Sequence, residues 1–108
     1  MAMKIKFKGK TIEIKAYECR GIMKVIGLMF SRQEKASALL FKFGKPVKMA
    51  IHSLFCPQFL AVWLKRGRVI GFKLVKSARL FITPPSEFDA LLEIPLNKKH
   101  QNIVKNFL

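Results

Sequence analysis

The chain opens with an alternation of polar and apolar residues that repeats after a short break. Residues 3–7 and 12–16 place an apolar side chain at every second position, and mostly charged residues fill the positions between. Successive side chains of a β-strand point to opposite faces, so this period predicts two strands, each with one buried and one basic face. The Gly9-Lys10 step between them predicts a turn, and the pair is therefore predicted to form a β-hairpin.

The apolar period becomes that of a helix from Gly21 onward. Residues 21–30 are predicted to form an amphipathic helix of about three turns, because its apolar residues recur at helical spacing. That stripe consists of Ile22, Val25, Ile26, Met29 and Phe30. The last six residues also show helical spacing of apolar side chains, which predicts a short C-terminal helix.

Five further segments have the composition of short strands: residues 37–43, 47–55, 59–64, 69–75 and 90–94. The first is expected to end at Gly44, where Gly-Lys-Pro begins. The segment 59–64, FLAVWL, is apolar on both faces and is predicted to be the most enclosed strand. A turn with sequence KRGR joins it to 69–75 in a second hairpin, in which Gly71 indicates a bulge or a close backbone approach.

These elements predict a mainly β (α+β) fold. About seven short strands and one firm helix suit a small, curled, barrel-like sheet with the helix packed against it and a short helix at the C-terminus. A chain of 108 residues has room for one domain, residues 1–108, which should bury roughly 65% of the surface of its unfolded form.

Charge is the strongest anomaly of the composition. Twenty-one Lys and Arg residues stand against 6 Asp and Glu, a formal net charge of +15, while 51% of the residues are hydrophobic. These proportions indicate a folded, strongly cationic domain and not a disordered chain. Basic residues on the exposed face of the first hairpin, and on and beside the turn of the second, are candidates for nucleic-acid binding: Lys4, Lys6, Lys8, Lys15, Lys65, Arg66, Arg68 and Lys73.

Two explanations of this charge stay open at the level of sequence. If the two hairpins are neighbours, the basic residues form one cationic surface for weak, non-specific binding of nucleic acid or another polyanion, with an affinity that falls with salt. Alternatively, a lysine-rich source proteome makes the surface basic without any partner. Sequence motifs for specific RNA recognition are absent.

Residue types for catalysis are scarce, and the sequence favours a non-enzymatic protein without catalytic residues. The 6 acids are dispersed, and the sequence contains no phosphate-binding glycine motif, HExxH or GxSxG. His52 and Cys56 are four residues apart, but zinc typically takes about four ligands, and only Cys19 and His100 remain. We therefore expect no metal and no cofactor, and we interpret both cysteines as half-buried, reduced thiols. A reactive Cys56 is the alternative.

The sequence favours a cytoplasmic location. The lysine-rich start lacks the apolar core of a signal peptide. The longest wholly apolar run is FLAVWL, far below the roughly 18 residues that indicate a membrane span. The oligomeric state is left open.

Three short motifs occur in an order that resembles a known family. GLMF at 27–30, ALLFKF at 38–43 and LLEIP at 91–95 resemble domain of unknown function family 192, over roughly residues 4 to 97. The resemblance implies a compact, mostly β, barrel-like domain with one or two helices and no established activity. This chain departs from the family pattern at Ser31, where a basic residue usually follows GLMF, and it has no acid in the segment 51–61, where many members carry an Asp.

The first functional hypothesis is a small-molecule binding domain with its pocket at the mouth of the barrel, bordered by the end of the helix and by residues 51–55. The candidate residues are Met29 and Phe55 as apolar lining, with Arg32, His52 and Glu93 as polar contacts. Glu93 has two interpretations, an outward residue paired with a lysine or a buried functional carboxylate. Polyanion binding through the lysine-rich surface is the alternative function.

Overall fold

The structure is a computed structural model that describes residues 2–20, 28, 31–53, 56–76 and 82–108. Within these ranges, seven strands form one mixed sheet with the order β2-β1-β6-β5-β7-β4-β3. The strands are β1 (Ala2–Phe7), β2 (Lys10–Lys15), β3 (Tyr17–Glu18), β4 (Leu39–Val47), β5 (Phe59–Lys65), β6 (Arg68–Val75) and β7 (Phe88–Pro95). The mainly β, curled and barrel-like fold predicted from the sequence is confirmed.

The two ends of the sheet belong to one stretch of chain. Only Ala16 separates β2 from β3, and β2 pairs with β1 while β3 pairs with β4. The second pairing is parallel and continues through Tyr17 N–H to Ala38 O (2.9 Å) and Cys19 N–H to Leu40 O (2.8 Å). Because residues 10–18 supply both edge strands, the sheet curls back on itself into a barrel-like shape.

Both predicted hairpins are present, and their turns have the same geometry. Lys8 and Gly9 have φ values of 49° and 76°, and Arg66 and Gly67 have 53° and 77°. Two successive residues with positive φ define the type I′ turn, whose twist matches that of the strands it joins. The β1–β2 and β5–β6 hairpins then meet in parallel, with Lys6 opposite Arg68 and the Lys6 N–H donating to Gly67 O at 2.9 Å.

The sheet has an inner and an outer apolar cluster. The inner cluster fills the barrel with residues from both hairpins, β4 and β7, including Ile5, Ile14, Leu40, Leu60 and Leu92. The outer cluster lies over β4, β5 and β7 and contains the largest buried rings, Phe59, Trp63 and Phe88. Since β5 lies at the centre of the sheet and is covered on both faces, the prediction that FLAVWL is the most enclosed strand is confirmed.

A polar network fixes the loop before β4 against the ends of β5 and β7. The Gln33 side-chain amide donates to Gln58 O (2.9 Å) and Leu96 O (2.7 Å), while its Oε1 accepts from the Gln58 N–H (2.7 Å). Asn97 Nδ2 donates to Gln33 O (3.0 Å) and Ala36 O (2.9 Å). These bonds satisfy backbone carbonyls that lie outside any strand ladder, and so they hold residues 33–36 over the sheet.

The segment 47–55, predicted as a strand, does not form one among its described residues after Val47. Among its described residues after Val47, only Ile51 pairs, in an isolated bridge with Ile82 (3.0 and 2.8 Å). Buried Ser53 instead donates its hydroxyl to Lys76 O at 2.7 Å. The alternation is a misleading signal here, because the described residues after Val47 are fixed by single contacts and not by a ladder.

Other boundaries also differ from expectation. β4 continues to Val47 through Gly44 and Pro46. Its register with β7 shifts between Lys42 and Val47, so Pro46 removes no hydrogen bond from the pairing of these two strands. The two-residue strand β3 was not predicted. The predicted helix at 21–30 lies outside the described residues except for Leu28, which is buried.

The predicted C-terminal helix is confirmed as a 3-10 turn, Lys98–His100, followed by α1 (Gln101–Val104). Phe107, just beyond α1, stacks on Phe7 of the inner cluster with 4.8 Å between ring centroids. Neither helical element in the described ranges has the length or apolar character needed to cross a membrane.

Gly71 allows a close contact between β6 and the Pro84-Pro85 loop. Trp63 pairs with Gly71 and Leu64 with Val69, so Ile70 is the extra residue of a bulge. A Cβ atom on Gly71 would lie 2.5 Å from Pro85 Cγ. The predicted bulge and the predicted close approach are both confirmed.

The substitution Gly71→Ala should destabilise the fold by about 1–3 kcal/mol, because the added methyl must displace a rigid proline ring. Gly44→Ala is the matched control: it lies in a strand, without positive φ, and its added Cβ would meet no atom within 4 Å. Urea unfolding should show a lower midpoint for the first variant and a change within about 0.5 kcal/mol for the control. Equal midpoints for the two variants would contradict the Pro85 contact.

Candidate functional site

A broad cationic depression lies where the two hairpins meet. Its volume is about 1090 Å³, and its polar lining comes from β1, β2, β5, β6 and the β5–β6 turn. The lining residues that carry charge or a hydroxyl are Lys4, Lys6, Thr11, Lys65, Arg66 and Arg68. The hairpins are therefore neighbours, as the cationic-surface hypothesis required.

Strand alternation explains why these cations gather. Ile5 and Phe7 point into the barrel, so Lys4 and Lys6, which alternate with them along β1, must point outward. The single parallel pair between β1 and β6 sets Arg68 directly beside Lys6. Thr11, the partner of Lys6 on β2, continues the same outer surface.

The β5–β6 turn is fixed at the edge of this depression. Arg66 occupies a positive-φ position, and its backbone N–H donates to Asp89 Oδ2 on β7 at 2.9 Å. The bond holds the turn in place without using the Arg66 guanidinium. The side chain of Arg66 is exposed and lines the depression.

A smaller depression of about 500 Å³ adds Lys8 to this region and shares Lys6, Thr11 and Arg68 with the larger one. We call the combined cations the basic face: Lys4, Lys6, Lys8, Lys65, Arg66 and Arg68. Two of the predicted nucleic-acid-binding residues do not line it. Lys15 is at the far end of β2, four residues from Thr11, a separation of about 13 Å along an extended strand. Lys73 lies opposite Ala61, further along β6.

The cations of the basic face form no ion pair with the described acids. In the described part of the chain, the ion pairs are Arg20 with Glu18 (3.0 Å) and Lys42 with Glu18 (3.5 Å), and neither involves the basic face. Lys65 is half-buried and the other five cations are exposed. Two acids lie beside these six cations, Glu13 opposite Lys4 on β2 and Asp89 at the turn. The remaining excess of positive charge creates a potential that attracts anions.

A third depression, which we call the mouth, opens at the end of the barrel beside the β5–β6 turn. Its volume is about 450 Å³, within the range of small-ligand pockets. Its inner part is lined by Leu40 and Leu64 of the inner cluster, and Phe43 and Lys45 lie on β4 at its side. Sequence reasoning did not single out these residues, although the KFGKP stretch combines the aromatic and basic types involved.

The residues predicted to bind a small molecule are not grouped at this mouth. Met29 and Phe55 lie outside the described residues. Arg32 is exposed at the start of a turn in which its carbonyl accepts the Ala36 N–H (2.8 Å), and His52 is half-buried beside the Ile51 bridge. Glu93 is on the outer face of β7, between Leu39 and Ala61, and not in the barrel interior.

Glu93 is buried, with 6% of its surface exposed, and the interpretation of it as an outward residue paired with lysine is wrong. The reason is that β7 is covered on both faces, by the inner cluster and by the outer cluster. Burial raises the pKa of this carboxyl to about 8, and no described hydrogen bond or ion pair opposes that shift. Trp63 lies two positions beyond Ala61 on the same face, and its buried Nε1 also has no hydrogen-bond partner in the described ranges.

Both cysteines are buried in the outer cluster, more fully than the half-buried thiols predicted from the sequence. Burial, with a smaller contribution from the Glu93 charge, raises the pKa of each thiol to about 11. Cys56 does not lie in a strand, so its spacing from His52 does not place the two on one strand face. Among the described residues, no group of three or more His, Cys, Asp or Glu side chains is arranged to hold a metal ion.

Two crystal structures have a similar fold. One is a "putative transcription regulator" from Sinorhizobium meliloti 1021, with a TM-score of 0.73 and 16% identity over 95% of this chain and 84% of the other. The second is a protein of unknown function from Novosphingobium aromaticivorans DSM 12444, with a TM-score of 0.71 and 13% identity over 95% of this chain and 77% of the other. No protein-family model and no curated protein matches the chain. At these identities the comparison shows a shared small β-barrel-like fold.

The buried carboxyl makes stability depend on pH. The unfolded chain releases the Glu93 proton near pH 4.5, whereas the folded protein keeps it until about pH 8. The stabilisation that comes from the raised pKa of Glu93 is therefore fully present below pH 4.5. Between pH 4.5 and about pH 8, the free energy of unfolding should fall by about 1.4 kcal/mol per pH unit. Glu93→Gln should remove this slope and leave a variant more stable than wild type at pH 8.

Urea unfolding at pH 5, 6, 7 and 8 measures this difference. Glu87→Gln is the control, since Glu87 is exposed in the loop before β7. Its stability should follow that of the wild type at each pH. Parallel curves for wild type and Glu93→Gln would show that the carboxyl is not buried in the folded protein.

The two thiols should resist alkylation in the folded protein. At pH 8 a thiol with a pKa of about 11 is almost entirely protonated, and the thiolate is the reactive form. Mass spectrometry after iodoacetamide treatment should detect almost no adduct on native protein and two adducts in urea. Rapid labelling of Cys56 without denaturant would instead support the reactive-thiol alternative.

Proposed function

We propose that the basic face binds nucleic acid or another polyanion through phosphate or equivalent anionic groups. The observation that carries this proposal is the convergence of cations from two hairpins in one depression, where the described residues form no ion pair with them. Lys and Arg side chains bind phosphates and release condensed counterions, which gives affinity without sequence preference. A composition that is merely lysine-rich provides no reason for these cations to line a single surface.

The similar structure from Sinorhizobium meliloti accords with this proposal, because it is described as a regulator of transcription. At 16% identity it supports the fold and not the ligand. The cytoplasmic location predicted from the sequence belongs to the same proposal, since it would bring the basic face into contact with nucleic acid.

Small-molecule binding is a second candidate function, and one observation favours it. The Glu93 carboxyl and Trp63 Nε1 are buried on the same face of neighbouring strands, without hydrogen bonds to the described residues. A small ligand that hydrogen-bonds to both groups would offset their desolvation. Membership of domain of unknown function family 192 stays a prediction. Native mass spectrometry of protein from its source, with Glu93→Gln for comparison, tests whether a small molecule is retained.

Charge reversal on the basic face tests the first proposal. The double variant Lys4→Glu, Arg68→Glu should bind a fluorescent 20-nucleotide single strand at least tenfold more weakly at low salt. The slope of log affinity against log salt should also fall in magnitude by about 1–2, because each lost phosphate contact removes about 0.7–0.9. Fluorescence anisotropy over a range of salt concentrations measures both quantities.

The control carries the same change of net charge away from the basic face. Lys98→Glu with Lys105→Glu alters two exposed residues of the C-terminal segment. Its affinity should stay within about threefold of wild type if binding is local. Equal losses in the two double variants would mean that net charge alone attracts the polyanion, and the basic face would then not be a site.

A further inference from the structure

One edge of β6 is open over most of its length. On one side, β6 pairs with β5 from Arg68 to Val75. On the other side its neighbour is β1, and the pairing is limited to Lys6 opposite Arg68. These two strands run in parallel, and β1 ends at Phe7, one residue further on. Residues 70–75 therefore have no described strand on the side that faces away from β5.

This open edge of residues 70–75 carries backbone groups available for pairing. Alternate residues of an edge strand direct their N–H and C=O groups away from the neighbour with which the strand is paired. Six residues of strand span about 20 Å at a rise of about 3.3 Å per residue. The edge therefore has room for an extended segment of about six residues, and the addition of a strand to a sheet edge is a recurring mode of peptide recognition.

The side chains along the open edge differ between the two faces of the sheet. Phe72 and Leu74 lie opposite Val62 and Leu60 of the inner cluster, yet 36% and 43% of their surfaces are exposed. Lys73, between them, points to the outer face and is exposed. A strand added at this edge meets apolar side chains on one face and positive charge on the other.

The exposed ring of Phe72 is held in place by other rings. It packs edge to face against Phe7 and Phe107, with 5.5 and 5.4 Å between ring centroids. A side chain that is already ordered loses little conformational entropy when a partner covers it. The apolar part of the open edge is therefore preorganised for binding.

The positive charge continues to the end of the open edge that is nearest to β1. The smaller depression at this end is lined by Lys8 of the β1–β2 turn and by Arg68 at the start of β6. The described ion pairs include neither of these residues, nor Lys73. Negative charge on an added strand would thus find cations along the outer face and at this end.

We infer that the open edge binds an extended segment of another protein in which acidic and apolar residues alternate. The apolar side chains of this segment continue the row formed by Phe72 and Leu74, and its carboxylates lie beside Lys73. Its backbone pairs with β6, so the sheet gains one strand. This inference goes beyond nucleic-acid binding and does not depend on it.

Charge makes a second copy of this chain a poor occupant of the open edge. Pairing of two β6 edges would bring Arg68 and Lys73 of one copy close to the same residues of the other, and each chain has a net charge of +15. Like charges on adjacent strands are destabilising, and lysines on edge strands protect proteins from such self-pairing. An acidic segment turns the same repulsion into attraction.

Fluorescence anisotropy with synthetic peptides tests the inference. The probe is a labelled seven-residue peptide of alternating Glu and Val. One comparison peptide has Lys in place of each Glu, and the other keeps the sequence but carries methyl groups on its backbone nitrogens. Wild type should bind the probe at least tenfold more tightly than either, because the first lacks the negative charge and the second cannot form a strand ladder.

Two variants test the residues of the open edge. Lys73→Glu and Leu74→Ser should each weaken binding of the probe at least fivefold, and both change exposed side chains that the core does not require. Lys98→Glu and Met49→Ser are the matched controls, since they make the same changes at exposed residues outside β6. The affinities of the controls should stay within about twofold of wild type.

Amide hydrogen exchange gives a second measurement that needs no variant. Exchange at residues 70–75 should slow in the complex with the probe, because added backbone pairing protects these amides. Equal affinity for the methylated peptide would overturn strand addition, and failure to bind the probe would overturn the inference while leaving the nucleic-acid proposal standing. A dimer of the protein alone that Leu74→Ser dissociates would overturn it in favour of a second copy.

Discussion

The arrangement of this domain depends on the parallel contact between β1 and β6. One backbone hydrogen bond, from the Lys6 N–H to Gly67 O at 2.9 Å, lies where the first hairpin joins the rest of the sheet. On the inner side this junction lets Ile5 and Phe7 complete the barrel interior. On the outer side it brings lysines of one hairpin beside arginines of the other. The same pairing therefore contributes to the core and creates the surface to which we assign a function.

A surface of this kind has an energetic cost. Lys4, Lys6, Lys65, Arg66 and Arg68 repel one another, and the described acids do not form ion pairs with them. The acid nearest to the turn in the structure, Asp89, accepts a backbone N–H of Arg66 and so fixes the turn. Like charges brought together on one face destabilise a folded protein, and a bound polyanion removes that repulsion. The charge pattern is thus more readily explained by binding than by stability.

Sequence reasoning predicted the elements whose signal is local. Alternation identified β1 and β2, the doubly apolar run identified β5, and Gly71 indicated the bulge. It did not predict which strands become neighbours. A two-residue period shows which face of a strand each residue occupies, but not which strand lies beside it. The β1–β6 contact joins residues about sixty positions apart, and the mouth combines residues from four strands. Glu93 was misjudged for the same reason, since its burial depends on what covers the outer face of β7.

The most direct test of the central claim is a map of backbone amide chemical shifts during titration with a single-stranded oligonucleotide. The account predicts that the largest changes occur in residues 4–11 and 65–70, where the basic face lies. Changes centred on residues 98–108, or distributed evenly over all exposed lysines, would contradict a site formed by the junction of the two hairpins.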